Sequence, residues 1–141
     1  MDRVELTLAF SWDPVGAITL DEQQKVHFPK TGAWPGLYRF EIISAGGRTQ
    51  YIGETDQLSR RLQHYRTPGP SQQTNLRLNA LLVEHLKRGD RILLSTVTEG
   101  VTASCAGREH HVDLTVKSER LLLESAALLS ARSAGVPTLN L

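Results

Sequence analysis

Two predicted strands joined by a glycine-rich turn constrain the fold more than any other part of the sequence. Residues 37–43 and 49–52 have the pattern of β-strands. The intervening residues 44–48 include Gly46-Gly47, and glycine readily adopts the positive φ angles that a tight hairpin turn requires. The sequence therefore predicts an antiparallel β-hairpin at this point.

Two helices are predicted to follow the hairpin. The apolar face of the first helix recurs at helical spacing and consists of Leu58, Leu62 and Tyr65. Asp56 is the predicted N-terminal cap of this helix, and the Pro-Gly pair at 68–69 ends it. The second helix is predicted over residues 75–88, with Thr74 as its cap and Gly89 as its terminator.

Further strands are predicted on both sides of these elements. Residues 4–10 alternate with a period of two and predict an N-terminal strand, and residues 16–20 and 25–28 predict a short hairpin. Residues 91–97 predict a third core strand, and residues 112–116 predict a short additional one. The sequence thus predicts a mixed α and β protein.

The last predicted helix begins at Ser118 and carries one carboxylate within its apolar run. Its predicted core face consists of Leu121, Leu122, Ser125, Leu128 and Leu129. Glu124 lies among these residues, where an unpartnered buried charge would be costly. Two interpretations stay open: Glu124 points to solvent or pairs with Arg120 or Arg132, or it binds a hard cation such as Mg²⁺.

Length and composition predict one folded domain in the cytoplasm. The chain has 141 residues, and no Pro/Gly/Ser-rich stretch is long enough to separate two folding units. The first thirty residues lack a continuous apolar segment, so neither export nor membrane insertion is expected. The single Cys105 can form no internal disulfide, which fits a reducing compartment.

The charge is unevenly distributed along the chain, although the net charge is only +1. Residues 1–57 contain five Lys or Arg and eight Asp or Glu, whereas residues 58–91 contain seven basic and two acidic side chains. A basic segment in a nearly neutral protein either forms a solvated helix surface or directs a polyanion to one face. The charge pattern alone does not decide between these alternatives.

Two triplets in the predicted hairpin resemble the signature of the GIY-YIG nuclease family. They are Gly36-Leu37-Tyr38, with leucine in place of the usual isoleucine, and Tyr51-Ile52-Gly53. Each triplet alone is a weak signal, but further matching residues follow in the family order: Arg61, Tyr65, Glu124 and Asn140. The resemblance covers residues 36–140 and leaves residues 1–35 outside it.

The resemblance implies a fold and an activity. The implied fold of residues 36–141 is α+β, with a small central antiparallel sheet of three strands flanked by helices. Residues 1–35 are expected to form a β extension packed on this core. The implied activity is hydrolysis of DNA phosphodiester bonds with one Mg²⁺ or Mn²⁺ ion bound through Glu124. The implied catalytic residues are Tyr38, Tyr51, Arg61, Tyr65, Glu124 and Asn140.

Each matched residue has a chemical role in this interpretation. Tyr38 is the predicted proton acceptor, although a phenol has a pKa of about 10 and must be stabilised as phenolate or pass the proton on. Arg61 offers a planar fork of N–H donors to a phosphate oxygen, which lysine cannot reproduce. Tyr65 occupies a position that is histidine in some relatives. Asn140 is predicted to hydrogen-bond near the cation or the leaving group.

The predicted ligand is DNA, without a membrane or a nucleotide cofactor. The residues predicted to contact DNA are Gly53, Arg60, Arg61, Arg66, Asn75 and Arg77. No phosphate-binding loop of the GxxxxGK(S/T) kind is found. A homodimer or a separate specificity partner is left open. The alternatives to an endonuclease are a DNA-binding module without catalysis, which would bind in a salt-sensitive way, and a protein-interaction domain.

Overall fold

The computed structural model describes residues 2–140, which form eight strands and three helices. The strands are β1 (Leu6–Ala9), β2 (Asp13–Leu20), β3 (Val26–His27), β4 (Gly36–Ser44), β5 (Gly47–Thr55), β6 (Arg91–Val97), β7 (Thr102–Cys105) and β8 (Arg108–His110). The helices are α1 (Leu58–Arg66), α2 (Gln73–Lys87) and α3 (Lys117–Ser133).

The central sheet has five strands rather than the predicted three. Its order is β3-β2-β6-β4-β5, and neighbouring strands pair antiparallel. The three predicted core strands, β4, β5 and β6, are adjacent in this sheet. β2 adds to the free edge of β6, so the N-terminal residues continue the sheet. A separate three-stranded sheet has the order β1-β7-β8.

The two faces of the central sheet bury two different clusters. On one face Tyr38, Phe40 and Ile42 of β4 pack with α1 and α2. On the other face Leu37 and Ile52 pack with α3. Because successive side chains of a strand point to opposite faces, β4 and β5 contribute to both clusters. The hairpin of β4 and β5 therefore directs side chains to both faces of the sheet.

The predicted helix caps are wrong, although the two helices are correctly predicted. The N-cap of α1 is Gln57, and the Asp56 carboxylate instead accepts a hydrogen bond from Arg60 at 2.6 Å. Thr74 lies inside α2, which begins at Gln73. Gly89 follows the end of α2 with a φ of 91°, as predicted for a glycine that stops a helix.

The buried face of α3 differs from the predicted one. It consists of Arg120, Leu123, Ala127 and Ala131, whereas Leu129 is 58% exposed. Leu121 and Leu122 are also exposed. Apolar residues occur on nearly every side of this helix, so its periodicity is compatible with two different buried faces. The sheet packs against the face with the smaller side chains.

The predicted strand at 112–116 is not formed. Asp113 instead closes a turn by accepting hydrogen bonds from Thr115, and the strands of this region are β7 and β8. The turn between β7 and β8 has positive φ at Ala106 and Gly107. Within residues 2–140, no helix has the length and apolar character needed to cross a membrane.

Candidate active site

Gly36 and Gly53 lie where the hairpin packs too closely for any side chain. Gly53 pairs with Tyr38 across the strands, and a Cβ atom at Gly53 would overlap the Tyr38 ring and hydroxyl. A Cβ atom at Gly36 would overlap the carbonyl oxygen of Val97 in β6. Both glycines are therefore required by packing. Gly53 is itself buried, so it does not present a surface to DNA as predicted.

Three tyrosines from β4, β5 and α1 form one aromatic cluster. Tyr38 and Tyr65 are 2% and 1% exposed, and their hydroxyl oxygens lie 2.6 Å apart. The ring centroid of Tyr51 lies 6.3 Å from that of Tyr38 and 6.5 Å from that of Tyr65. Phe40 packs against all three rings. The structure thus brings the three predicted tyrosines together.

Burial opposes the predicted role of Tyr38 as the proton acceptor. Burial raises the pKa of Tyr38 well above its usual value, and the neighbouring phenols of Tyr65 and Tyr51 raise it further. The Arg61 charge acts in the opposite direction but is the smallest of the contributions to this pKa. Burial also raises the pKa of Tyr65. Burial therefore favours the neutral form of both phenols.

An open cleft lies at the outer edge of β5, between α2 and α3. Its volume is about 630 Å³, and it is lined by Tyr51, Gln73, Thr74, Arg77, Glu124 and Asn140. Four of these residues were predicted from the sequence: Tyr51, Arg77, Glu124 and Asn140. They come from four separate segments of the chain. Tyr51 is the member of the tyrosine cluster that reaches the cleft.

Glu124 is half-buried at the wall of this cleft. Burial raises the pKa of its carboxyl group, and the Glu54 carboxylate raises it further, whereas the Glu54 backbone and Arg61 act in the opposite direction. Within residues 2–140, Glu124 forms no ion pair, and the suggested pairing with Arg120 or Arg132 is wrong. The cleft therefore contains a carboxylate whose charge is not balanced by a contacting cation.

Arg120 and Glu54 form a buried ion pair behind the cleft that the sequence analysis missed. The Arg120 Nε donates to a Glu54 oxygen at 2.7 Å, and a second guanidinium nitrogen donates to the Leu114 carbonyl. The two side chains are only 6% and 13% exposed. Glu54 directly follows Gly53, and Arg120 lies one helical turn before Glu124. The available signal was a charged residue directly before the apolar run of α3, one helical turn from Glu124.

The adjacent arginines of α1 have different environments. Arg60 pairs with Asp56 at 2.6 Å on the surface, away from the tyrosine cluster. Arg61 is half-buried. Its charge acts to lower the pKa values of Tyr38 and Glu124, but burial has the larger effect and both values are raised. Within the described residues, Arg61 forms no ion pair. Its guanidinium is thus the positive group associated with both the cluster and the cleft.

Two predicted DNA contacts have structural roles instead. The Arg66 guanidinium donates to the Asp21 carboxylate at 2.7 Å and to the Val26 carbonyl at 2.6 Å, which fastens α1 to the N-terminal strands. Asn75 is buried, and its amide donates to the Gln72 side chain at 3.0 Å. Neither side chain is free to bind DNA as predicted.

Asn140 holds residues 139–140 against the free edge of β5. Its side-chain oxygen accepts from the Ile52 N–H at 3.0 Å, and its side-chain nitrogen donates to the Ile52 carbonyl. The preceding Leu139 N–H donates to the Gln50 carbonyl at 2.8 Å. Asn140 lines the cleft, but its amide is already occupied, so the structure assigns it a positioning contact.

Residues 2–140 contain no group of three or more His, Cys, Asp or Glu side chains placed to hold a metal ion. Any cation in the cleft would have Glu124 as its protein carboxylate. Mg²⁺ is commonly held by one or two carboxylates and completes its coordination with water and substrate phosphate. The single carboxylate of the cleft fits a cation that takes its other ligands from water and substrate phosphate. It does not fit a cation that needs a full set of protein ligands.

Comparison with known proteins identifies the fold. No protein-family model matches the sequence, and no curated protein matches it. A solved structure of a bacteriophage T4 EndoII mutant matches with a TM-score of 0.56 and 18% sequence identity, over 92% of this chain and 92% of the EndoII chain. At this identity the likeness establishes a shared fold. The EndoII match covers nearly the whole length of both chains.

Proposed function

We propose that this chain is a divalent-cation-dependent endonuclease that hydrolyses DNA phosphodiester bonds. The observation that carries the proposal is the convergence of Tyr51, Arg77, Glu124 and Asn140 on one cleft. Arg61 does not line the cleft, but its charge lowers the pKa of Glu124. Tyr51, Arg61, Glu124 and Asn140 are distant in sequence and match the GIY-YIG pattern in order, whereas Arg77 lies outside that pattern. The fold adds support, because EndoII is an endonuclease by its name.

Glu124 is the proposed ligand of one Mg²⁺ or Mn²⁺ ion. The carboxylate is half-buried, has no contacting cation within residues 2–140, and faces a cleft with room for water and a phosphate. A bound divalent cation would lower the pKa of a coordinated water and draw charge from the phosphate oxygens. Glu124 would in turn become ionised more readily, because the cation compensates for its burial.

Arg61 and Arg77 are proposed to bind two neighbouring phosphates of the DNA backbone. Arg61 donates its paired N–H groups to a nonbridging oxygen and stabilises the charge that develops there. Arg77 is exposed at the α2 side of the cleft and contacts a neighbouring phosphate. Arg60, already paired with Asp56, contributes to the general positive potential of α1.

Tyr51 is the proposed phenol that contacts the attacking water. It lines the cleft with Glu124, whereas Tyr38 and Tyr65 lie buried behind it. The Tyr51 hydroxyl accepts a hydrogen bond from the water and orients it towards phosphorus. The hydrogen-bonded pair of Tyr38 and Tyr65 keeps the cluster rigid, and Asn140 fixes the edge of β5 that carries Tyr51.

The decisive test is cleavage of supercoiled plasmid by the purified protein with Mg²⁺ or Mn²⁺. We expect relaxed or linear product with either cation and none with a chelator. Glu124→Gln is expected to reduce the rate by at least about 100-fold, since removal of a group that stabilises transition-state charge typically has this effect. Glu84→Gln, a change of the same kind at an exposed position of α2, is the matched control.

Two results would contradict the proposal. Absence of cleavage with either cation excludes the nuclease activity on this substrate, and cleavage that survives Glu124→Gln excludes the proposed cation site. Salt-sensitive DNA binding without cleavage would instead identify a DNA-binding module on this fold.

A further inference from the structure

Trp34 is an exposed aromatic side chain that the proposed site does not use. It lies in the loop of residues 28–35 between β3 and β4, and it is 63% exposed. Tryptophan is usually well buried on average, so an isolated exposed indole is informative when its surroundings hold it in place. The surroundings of Trp34 do so.

The indole rests on a glycine and is tied to α1 through the backbone. A Cβ atom at Gly32 would overlap Nε1 and the adjacent carbons of the Trp34 ring, so the pyrrole part of the indole lies over Gly32. The Trp34 carbonyl accepts from the Leu58 N–H at 2.9 Å, and the Gly32 carbonyl accepts from the Ser59 N–H at 3.2 Å. One side of the ring is supported while most of the rest is exposed.

These contacts place Trp34 at the same end of the sheet as the proposed site. The loop enters β4 at Gly36, which pairs with Thr55 at the end of β5. Leu58, to which the Trp34 carbonyl is bonded, lies less than one helical turn before Arg61. Lys30, in the same loop, is exposed and adds positive charge. Trp34 does not line the cleft, but the backbone of its loop contacts the first turn of the helix that carries Arg61.

We propose that Trp34 is a stacking contact for an unpaired base of DNA next to the cleaved phosphate. The inference rests on the proposed function in taking DNA as the ligand. Aromatic side chains bind unpaired bases through their π faces, and this contact tolerates any sequence. A held indole loses little conformational freedom on binding. The N-terminal residues would thereby give the enzyme a preference for DNA with unpaired nucleotides.

The two tryptophans of the chain permit a direct test by fluorescence. Trp12 is half-buried, with the Arg39 guanidinium 4.7 Å from its ring centre. Trp12→Phe therefore leaves Trp34 as the single tryptophan, which can be excited selectively over the three tyrosines. Titration with an oligo(dT) strand in chelator, where no cleavage occurs, is expected to quench this fluorescence saturably. Trp34→Leu is expected to weaken oligo(dT) binding about tenfold, measured by anisotropy of a labelled strand, and Trp34→Phe to restore most of it.

A second variant tests the support beneath the ring. Gly32→Ala must displace the indole, so it is expected to reduce the quenching while far-UV circular dichroism stays unchanged. Unquenched Trp34 fluorescence in the presence of bound oligo(dT), or unaltered affinity in Trp34→Leu, would overturn the inference. If either of these results is found and the wild type still cleaves plasmid, the stacking inference is wrong but the nuclease proposal is not contradicted. Quenching without cleavage has the opposite meaning, because it supports the stacking contact and contradicts the nuclease.

Discussion

The tyrosine cluster and the cleft share Tyr51 but differ in their access to solvent. Tyr38 and Tyr65 are buried in the core that α1 and α2 form with the sheet, whereas Glu124 and Arg77 face the open cleft of about 630 Å³. The three tyrosines, Glu124 and Asn140 were predicted from one pattern, whereas Gln73, Thr74 and Arg77 of the cleft lie outside it. The difference indicates that such a pattern combines two kinds of residue, those buried in the core and those that face the open cleft.

The largest effect is expected at the buried ion pair of Arg120 and Glu54, which involves α3 on the face of the sheet opposite the tyrosine cluster. Arg120→Met leaves the Glu54 carboxylate buried without its partner, and breaking such a pair typically costs about 3–5 kcal/mol. Urea unfolding of the cation-free protein measures this free energy. If the pair supports the site only through the fold, cleavage should decline in proportion to the unfolded fraction.

The double variant Arg120→Met with Glu54→Met is the control for this prediction. Removal of both charges is expected to recover most of the lost free energy, because the penalty comes from the unpaired charge and not from the missing bond. Arg60→Met, which breaks an exposed ion pair on α1, is expected to change stability little. Equal stability of Arg120→Met and the wild type would show that the pair is not buried in solution.

The next effect is expected on the open side, at the adjacent arginines of α1. Arg61→Lys is expected to reduce the single-turnover cleavage rate about 100-fold, because an ammonium group cannot donate in a paired fork to the phosphate. Arg60→Lys is the matched change one residue away and is expected to retain the rate within a few-fold. Equal losses at the two positions would contradict the distinction drawn between them.

A smaller effect separates the two phenols of the hairpin. Tyr38→Phe leaves the Tyr65 hydroxyl without its 2.6 Å partner and is expected to cost about 1 kcal/mol of stability. Tyr51→Phe is expected to leave stability nearly unchanged and to slow cleavage about tenfold, the effect of one lost hydrogen bond. Thermal unfolding and single-turnover cleavage rates, measured on both variants, test these two predictions. A reversed result, with cleavage lost only in Tyr38→Phe, would restore Tyr38 as the proton acceptor.

Local patterns predicted the elements of the fold but not the extent of the sheet. The hairpin of β4 and β5, the helices and β6 each have a period and end signals within a short stretch of sequence. The addition of β2 to the edge of β6 depends on pairing across more than seventy residues, for which Asp13–Leu20 has no local signal. The α3 face was mispredicted because Leu121 and Leu129 satisfy the same period as Leu123 and Ala127.

The site was predictable where residues matched a family pattern and not where contacts decide the role. Order along the chain sufficed to select Tyr51, Arg61 and Glu124. Burial, which distinguishes Tyr38 from Tyr51, is a property of the assembled tertiary structure. The ion pair that occupies Arg66 and the backbone contacts that occupy Asn140 likewise involve segments far away in sequence. The sequence pattern therefore predicted which residues come together around the tyrosine cluster and the cleft, but not which of them are buried and which are accessible.

The smallest predicted effect concerns the charge on Glu124 itself. Burial raises the pKa of Glu124 above its ordinary value of 4.5, so the ionised form is less favourable in the folded protein. Near pH 4 both states are largely protonated, and Glu124→Gln should match the wild type in Tm. As the pH rises through the raised pKa, the wild type loses stability, and at pH 7 the variant should unfold about 1–3 °C higher. Mn²⁺ should reverse this order by stabilising only the wild type. A lower Tm for the cation-free variant at pH 7 would mean that a positive partner already balances the carboxylate.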